Sequence, residues 1–103
     1  MIWRQDGRDE DPLIRAERFA LGRLFMTPGV RDTIPPSEVT RALRRHSRGD
    51  WGDVDVADRQ ANEQALKDGT RLMSVFHTNC SHEFWIITEA DRSVTTVLLP
   101  EEY

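Results

Sequence analysis

The chain has one cysteine, Cys80, so it cannot close an internal disulfide, and nothing in it calls for an oxidising compartment. It has no apolar run near the roughly 20 residues that span a bilayer. Its opening, MIWRQDGRDEDP, lacks the apolar stretch of a secretion signal. These absences lead us to expect a cytoplasmic protein with no membrane association. Internal repeats and low-complexity segments are missing as well. Basic charge is in deficit: 14 Lys and Arg against 18 Asp and Glu give a net charge of −4. That argues against general affinity for nucleic acid but leaves room for a local basic face.

Catalytic and metal-binding patterns are equally sparse. His77, Cys80 and His82 cluster at a hairpin turn, but zinc usually takes four ligands from two separated pairs, and no second pair is present. A Cys-His nucleophile at a hairpin tip would have neither a cleft nor an oxyanion hole. Asp50, Asp53, Asp55 and Asp58 are the oxygen donors a hard cation would need, yet their spacing misses the calcium-loop pattern. The expectation is no metal, no cofactor and no enzyme. A metal-dependent hydrolase using Asp50, Asp53 and Asp58 is the least favoured alternative.

What is present suits one domain of 103 residues, with 38% hydrophobic and 31% charged residues. Residues 1–17 read as a charged, flexible arm and residues 18–103 as a single α+β domain. Asp11-Pro12 could open a helix that stops at Gly22. The competing and favoured reading is a strand over Arg18 to Met26, with Phe19, Leu21 and Phe25 on one face, ended by a turn at Thr27-Pro28-Gly29. A helix then starts at Pro35-Pro36-Ser37, with Ser37 as cap and Glu38 in the first turn. Val39, Ala42, Leu43 and His46 make its buried stripe, and Gly49 stops it.

Asp55 caps a second helix over Val56 to Asp68, with Gly69 ending it. Ala57, Ala61 and Ala65 form a small-residue face there, and Asn62 is suited to tie the preceding turn to the helix. Three β runs follow, Arg71 to Thr78, Glu83 to Glu89 and Ser93 to Leu99, with links short enough for hairpins. The predicted fold is an antiparallel sheet of three to four strands with two helices packed on one face, in the order β-α-α-β-β-β. Alternation puts Leu72, Phe76, Phe84, Ile86, Val94 and Leu98 on one side of the sheet. Met73, Val75, Trp85, Ile87, Val97 and Leu99 fall on the other. Both sides are apolar, so the second needs the N-terminal segment or a partner over it, and a homodimer is one way to supply that.

The candidate surface lies where the two helices meet, at Gly49-Asp50-Trp51-Gly52-Asp53. Trp51 is either a core plug, with its indole N–H finding a carbonyl or carboxylate, or an anchor for a partner. Arg41, Arg44, Arg45 and Arg48 share one helix face. They either pair with the chain's own carboxylates or form a patch for phosphates or an acidic protein. Arg92 is expected to pair with a carboxylate such as Glu89 or Asp50. The candidate binding residues are therefore Arg41, Arg44, Arg45, Arg48, Asp50, Trp51, Asp53 and Arg92.

The segments Leu21-Gly22-Arg23, Thr27-Pro28-Gly29, Gly49 to Asp53 and Ile87 to Thr96, together with Asn62 and the Leu98 to Tyr103 tail, carry a resemblance. The chain is similar over Phe19 to Tyr103 to a family of small bacterial proteins carried on plasmids, prophages and integrative elements, often labelled "plasmid-related". The N-terminal arm and Pro35-Pro36 depart from that pattern. The resemblance implies an accessory role for a mobile element, without an agreed reaction. Together with the charge pattern it suggests a non-enzymatic protein that binds a host or element-encoded complex and blocks a defence system, restriction or CRISPR. The alternative is a nucleic-acid-binding accessory protein using the arginine face.

Overall fold

The computed structural model describes residues 17–103. The arm expected over residues 1–17 therefore lies, apart from Glu17, outside the described residues, as does the helix expected to open at Asp11-Pro12. Seven regular elements run β1 (Arg23–Met26), α1 (Pro28–Thr33), α2 (Pro36–Ser47), α3 (Val56–Asp68), β2 (Leu72–His77), β3 (Glu83–Thr88) and β4 (Val94–Leu98). A 3-10 turn at Pro100–Glu102 follows. The α+β class is as expected, but the sheet is mixed. Its order is β1-β4-β3-β2, with β2, β3 and β4 an antiparallel meander. β1 pairs parallel to β4, with Leu24 opposite Thr95 and Met26 opposite Val97. The connection permits parallel entry: β1 leads into helices rather than into a hairpin, and such a strand can join the far edge in either sense.

The early strand is shorter than Arg18 to Met26. Gly22 sits at φ +68 with its Cα against Ser93, where an added Cβ would lie 2.3 Å from the Ser93 carbonyl oxygen. The chain bends there, so Phe19 leaves the expected strand face and stacks on Trp51. Thr27 ends β1 by opening α1: its hydroxyl accepts from the Val30 amide at 3.3 Å. The tail latches onto the same point, where Glu102 accepts from the Gly29 amide at 3.0 Å and from the Thr27 hydroxyl.

Helix α2 is capped two residues before the expected position. Extended Pro35 is the N-cap and Pro36 the first helical residue, where a missing N–H costs nothing, so Ser37 already lies inside the helix. Gly49 stops it at φ +84, and the amides of Gly49 and Asp50 close onto the carbonyls of His46 and Arg45 at 3.0 and 2.8 Å. This is a Schellman ending. Asp55 caps α3 through the Asp58 amide at 2.7 Å, and Gly69 ends it at φ +72, both as expected. The alanine row is only partly used: Ala65 is buried, whereas Ala57 and Ala61 are exposed.

Val30 and Ile34 (the latter just past α1) pack with Val39 and Ala42 of α2 against Phe76, Phe84, Ile86 and Val97 on one sheet face. Val97 lies opposite Ile86, so β4 is one residue out of the expected alternation: Val97 belongs with the Phe84 face, while Val94 and Leu98 belong to the other. Asn62 of α3 reaches β2 rather than its own turn. Its side chain donates to the Met73 carbonyl at 2.7 Å and accepts from the Met73 amide at 3.1 Å. One residue pair along, Val75 donates to the Trp51 carbonyl at 3.1 Å and accepts from the Asp53 amide at 2.7 Å. The outer edge of β2 is thereby closed by a side chain and a turn.

The close approach depends on Gly52, at φ +74, where an added Cβ would sit 2.0 Å from the Val75 carbonyl oxygen. Gly69 shares that backbone conformation with open space around it. Gly69→Ala should therefore cost about 1–2 kcal/mol from the left-handed backbone alone. Gly52→Ala should cost clearly more, since the turn must also leave β2. Equal losses for the two in urea denaturation would show that the approach at Gly52 is not tight.

Candidate functional site

Trp51, at the centre of the turn between α2 and α3, is built into the core, while Asp50 and Asp53 on either side are exposed. Trp51 is only 3% exposed, and its indole N–H donates to a Glu63 carboxylate oxygen at 3.0 Å. Glu63 also takes both guanidinium nitrogens of Arg18, at 2.9 and 3.0 Å. Those bonds, Arg18 first and Trp51 second, hold the Glu63 carboxyl below the usual range. Of the two readings of Trp51, the plug is the one the fold uses.

Asp50 accepts from Arg45 at 2.8 and 3.3 Å and from the Gly52 amide at 3.1 Å. Partial burial pushes the Asp50 pKa up. The Arg45 and Gly52 bonds, with the charges of Arg45 and Arg48, outweigh this and leave it lowered. Asp53 bonds His77 Nδ1 at 2.7 Å, while His77 Nε2 meets Glu83 at 3.2 Å. With a carboxylate at each nitrogen, led by Asp53, the His77 pKa is raised.

Arg92 departs from its expected pairing with Glu89 or Asp50: among the described residues it meets no carboxylate. It has φ +62, and its guanidinium donates to the carbonyls of Thr70 at 2.6 Å, Glu89 at 3.1 Å and Ala65 at 3.1 Å, the last in the final turn of α3. A cation there completes the helix end and faces the negative pole of its dipole. Arg92 ties α3 to the β3–β4 hairpin and is not part of an open surface.

The arginines divide in the same way. Arg45 lies over the Phe76 ring at 4.8 Å and is spent on Asp50. Arg41 and Arg44 are exposed and Arg48 is half-buried. None of these three has an ion-pair partner among the described residues, so the side chains kept for solvent are Arg41, Arg44 and Arg48.

Beside them lies a feature the sequence reading missed. β1 is exposed at every residue, with Leu24 at 53%, Phe25 at 45% and Met26 at 53%. Together with Pro36, Val39, Thr40 and Leu43 of α2 they line a groove of about 230 Å³. The apolar character of Leu24, Phe25 and Met26 was visible, but their place at a sheet edge depended on the parallel pairing with β4.

One imidazole is fully internal. His46 is 0% exposed and packs edge-on to Phe19 and Trp51. Its Nδ1 lies 2.6 Å from the Ser74 hydroxyl and its Nε2 2.9 Å from the Thr88 hydroxyl. Thr88 continues to Thr95 at 2.8 Å, and the Thr95 hydroxyl donates to the Leu21 carbonyl at 2.7 Å. Because Thr95 spends its proton on Leu21, Thr88 must donate to Thr95. Nε2 must then carry the imidazole proton, with Ser74 donating to Nδ1. One neutral tautomer satisfies every contact.

Compared with protein-family models, with curated proteins and with solved structures, the chain finds no match. Among the described residues no group of three or more His, Cys, Asp or Glu is arranged to hold a metal ion. No helix among them is long and apolar enough to cross a membrane.

Burial first, and the Arg92 charge second, push the His46 pKa down from 6.5 to about 3. Below pH 6.5 the unfolded chain takes up a proton that the folded chain refuses, so this group withdraws stability as pH falls, at up to about 1.4 kcal/mol per unit. His77 acts with the opposite sign: its contribution is complete below 6.5 and is lost as pH rises through its raised value. Urea denaturation between pH 6.5 and 5 should show falling stability, and His46→Gln, which does not titrate, should flatten it. An unchanged slope in that variant would remove His46 as the source.

Proposed function

We propose that this protein is a non-enzymatic, protein-binding accessory factor of a mobile genetic element, acting in the bacterial cytoplasm. Within that class we favour an inhibitor of a defence system, by restriction or CRISPR blockade. The observation that carries the binding reading is the division of polar groups around the interhelical turn. Asp50, Trp51, Asp53, Arg45 and Arg92 are each consumed by internal bonds. Arg41 and Arg44 remain exposed on α2 and Arg48 half-buried, with Arg44 beside an apolar groove. Planar cations beside exposed apolar side chains suit a protein interface, where Arg and large apolar groups concentrate.

Two of the three imidazoles are engaged within the fold: His46 is sealed in a hydroxyl chain, and His77 has a carboxylate at each ring nitrogen. The mobile-element setting comes from the GDWGD and TEADRS sequence resemblance and rests on that alone.

Nucleic acid is the second reading, favoured by the same three arginines, since clustered guanidiniums also take phosphates. Tagged full-length protein should capture a defined complex from a bacterial lysate, and Arg41→Glu with Arg44→Glu should reduce capture at least tenfold while melting is unchanged. Mobility shift on duplex and single-stranded DNA at low salt should give no retained complex. A salt-sensitive shift abolished by the same pair of substitutions would transfer the assignment to nucleic acid, and capture indifferent to them would remove α2 as the surface.

A further inference from the structure

The two edges of the sheet are treated differently. At β2 every outward backbone group of Met73 and Val75 is met by Asn62 or by the Trp51 to Asp53 turn. At β1 the amides of Arg23 and Thr27 turn inward to the carbonyls of Ser93 and Val97, at 2.9 and 3.1 Å. Strand alternation then turns the N–H and C=O of Leu24 and Met26 outward. Among the described residues no strand or side chain answers them. β1 is short and carries one charge, Arg23, but it has no proline and no bulge, and its groove-side residues, Leu24 and Met26, are uncharged and apolar.

We propose that the outer edge of β1 receives an extended segment of a partner protein as a fifth strand, with apolar residues at alternate positions and carboxylates between them. This rests on the protein-binding reading above and specifies its partner. The alternation follows from the two sides of the edge. On the helix side an added strand would lay its side chains over Leu24 and Met26, in the groove closed by Pro36, Val39, Thr40 and Leu43. No charged side chain lines that groove, so apolar residues fit there. On the opposite side, Arg23 stands over Phe25 at 5.3 Å and faces solvent, which selects a carboxylate.

The helix adds a rim of the same sign. Along α2, Arg44 follows Thr40 by one turn and so flanks the groove, with Arg48 and Arg41 on the rows beyond it. A chain of net charge −4 thus presents a cationic border where a strand can add. Main-chain bonds to Leu24 and Met26 would hold the segment, the groove would select its apolar residues, and Arg23 on the opposite side would select the acidic ones, with the α2 arginines adding long-range attraction for a segment of that charge.

The test is residue-resolved amide exchange on the full chain, with a blocked peptide alternating Glu or Asp with Val or Leu as the probe. In the free protein the Leu24 and Met26 amides should exchange quickly, and saturating peptide should slow both at least tenfold. A peptide with Lys in place of its acidic residues should not protect them, and Leu24→Lys, at a half-exposed site, should abolish protection while the melting temperature holds. Slow exchange of both amides before any peptide is added would overturn the proposal, because the edge would already be paired. So would protection that rises with protein concentration alone, which would make a second copy the occupant. If Arg44→Glu abolishes lysate capture while Leu24→Lys leaves it intact, the edge inference fails and the binding reading survives. If neither substitution alters capture, both fail.

Discussion

Four backbone groups on the outer side of β2 set the arrangement of the chain around them. The amides and carbonyls of Met73 and Val75 point away from the meander, and a buried backbone group left unpaired costs about 1–3 kcal/mol. Asn62 and the turn at Trp51 to Asp53 satisfy all four. That requirement brings Gly52 against the Val75 carbonyl, directs Trp51 inward to Glu63 and holds α3 alongside the edge. The turn that looks functional in the sequence meets this edge with its backbone, while its acidic and aromatic side chains bond Arg45, Glu63 and His77.

The second organising element is polar and internal. Ser74, His46, Thr88 and Thr95 thread one line of hydrogen bonds from β2 through α2, β3 and β4 to the backbone at Leu21. A fully satisfied line of this kind fixes register, because sliding any strand by one residue would bury an unmatched hydroxyl. Phe19 and Trp51 shut it off from water on the helix side. Core packing and polar pairing therefore impose the same alignment of the sheet.

Local signals were legible wherever the chain's neighbours in sequence are also its neighbours in space. The stop at Gly49, the Asp55 cap, the Gly69 ending and the buried stripe ending at His46 all follow from one helical turn of context. Thr27 was legible as a strand end, though not as the cap of a short helix, because PGVRDT carries little periodicity. What could not be read was long-range. The parallel partner of β1, the one-residue offset of Val94 to Leu98, the reach of Asn62 to Met73 and the carbonyl cage of Arg92 each depend on contacts between different elements. The turn stood out as a site because polar density in sequence does not distinguish groups that face solvent from groups that face one another. The apolar edge of β1 escaped notice for the matching reason: RLFM looks like core until its neighbours are known.

The pairing of β1 with β4 joins Arg23–Met26 to Val94–Val97 across almost the whole described chain. A ribosome must therefore deliver Val97 before Leu24 and Met26 have a strand to lie against. Until then the RLFM segment is a short apolar stretch with no sheet behind it, and its outward amides have no fixed direction. The edge thus comes into being last, as a property of the finished chain. A nascent or truncated product that stops short of β4 has the same arginines but no strand to extend.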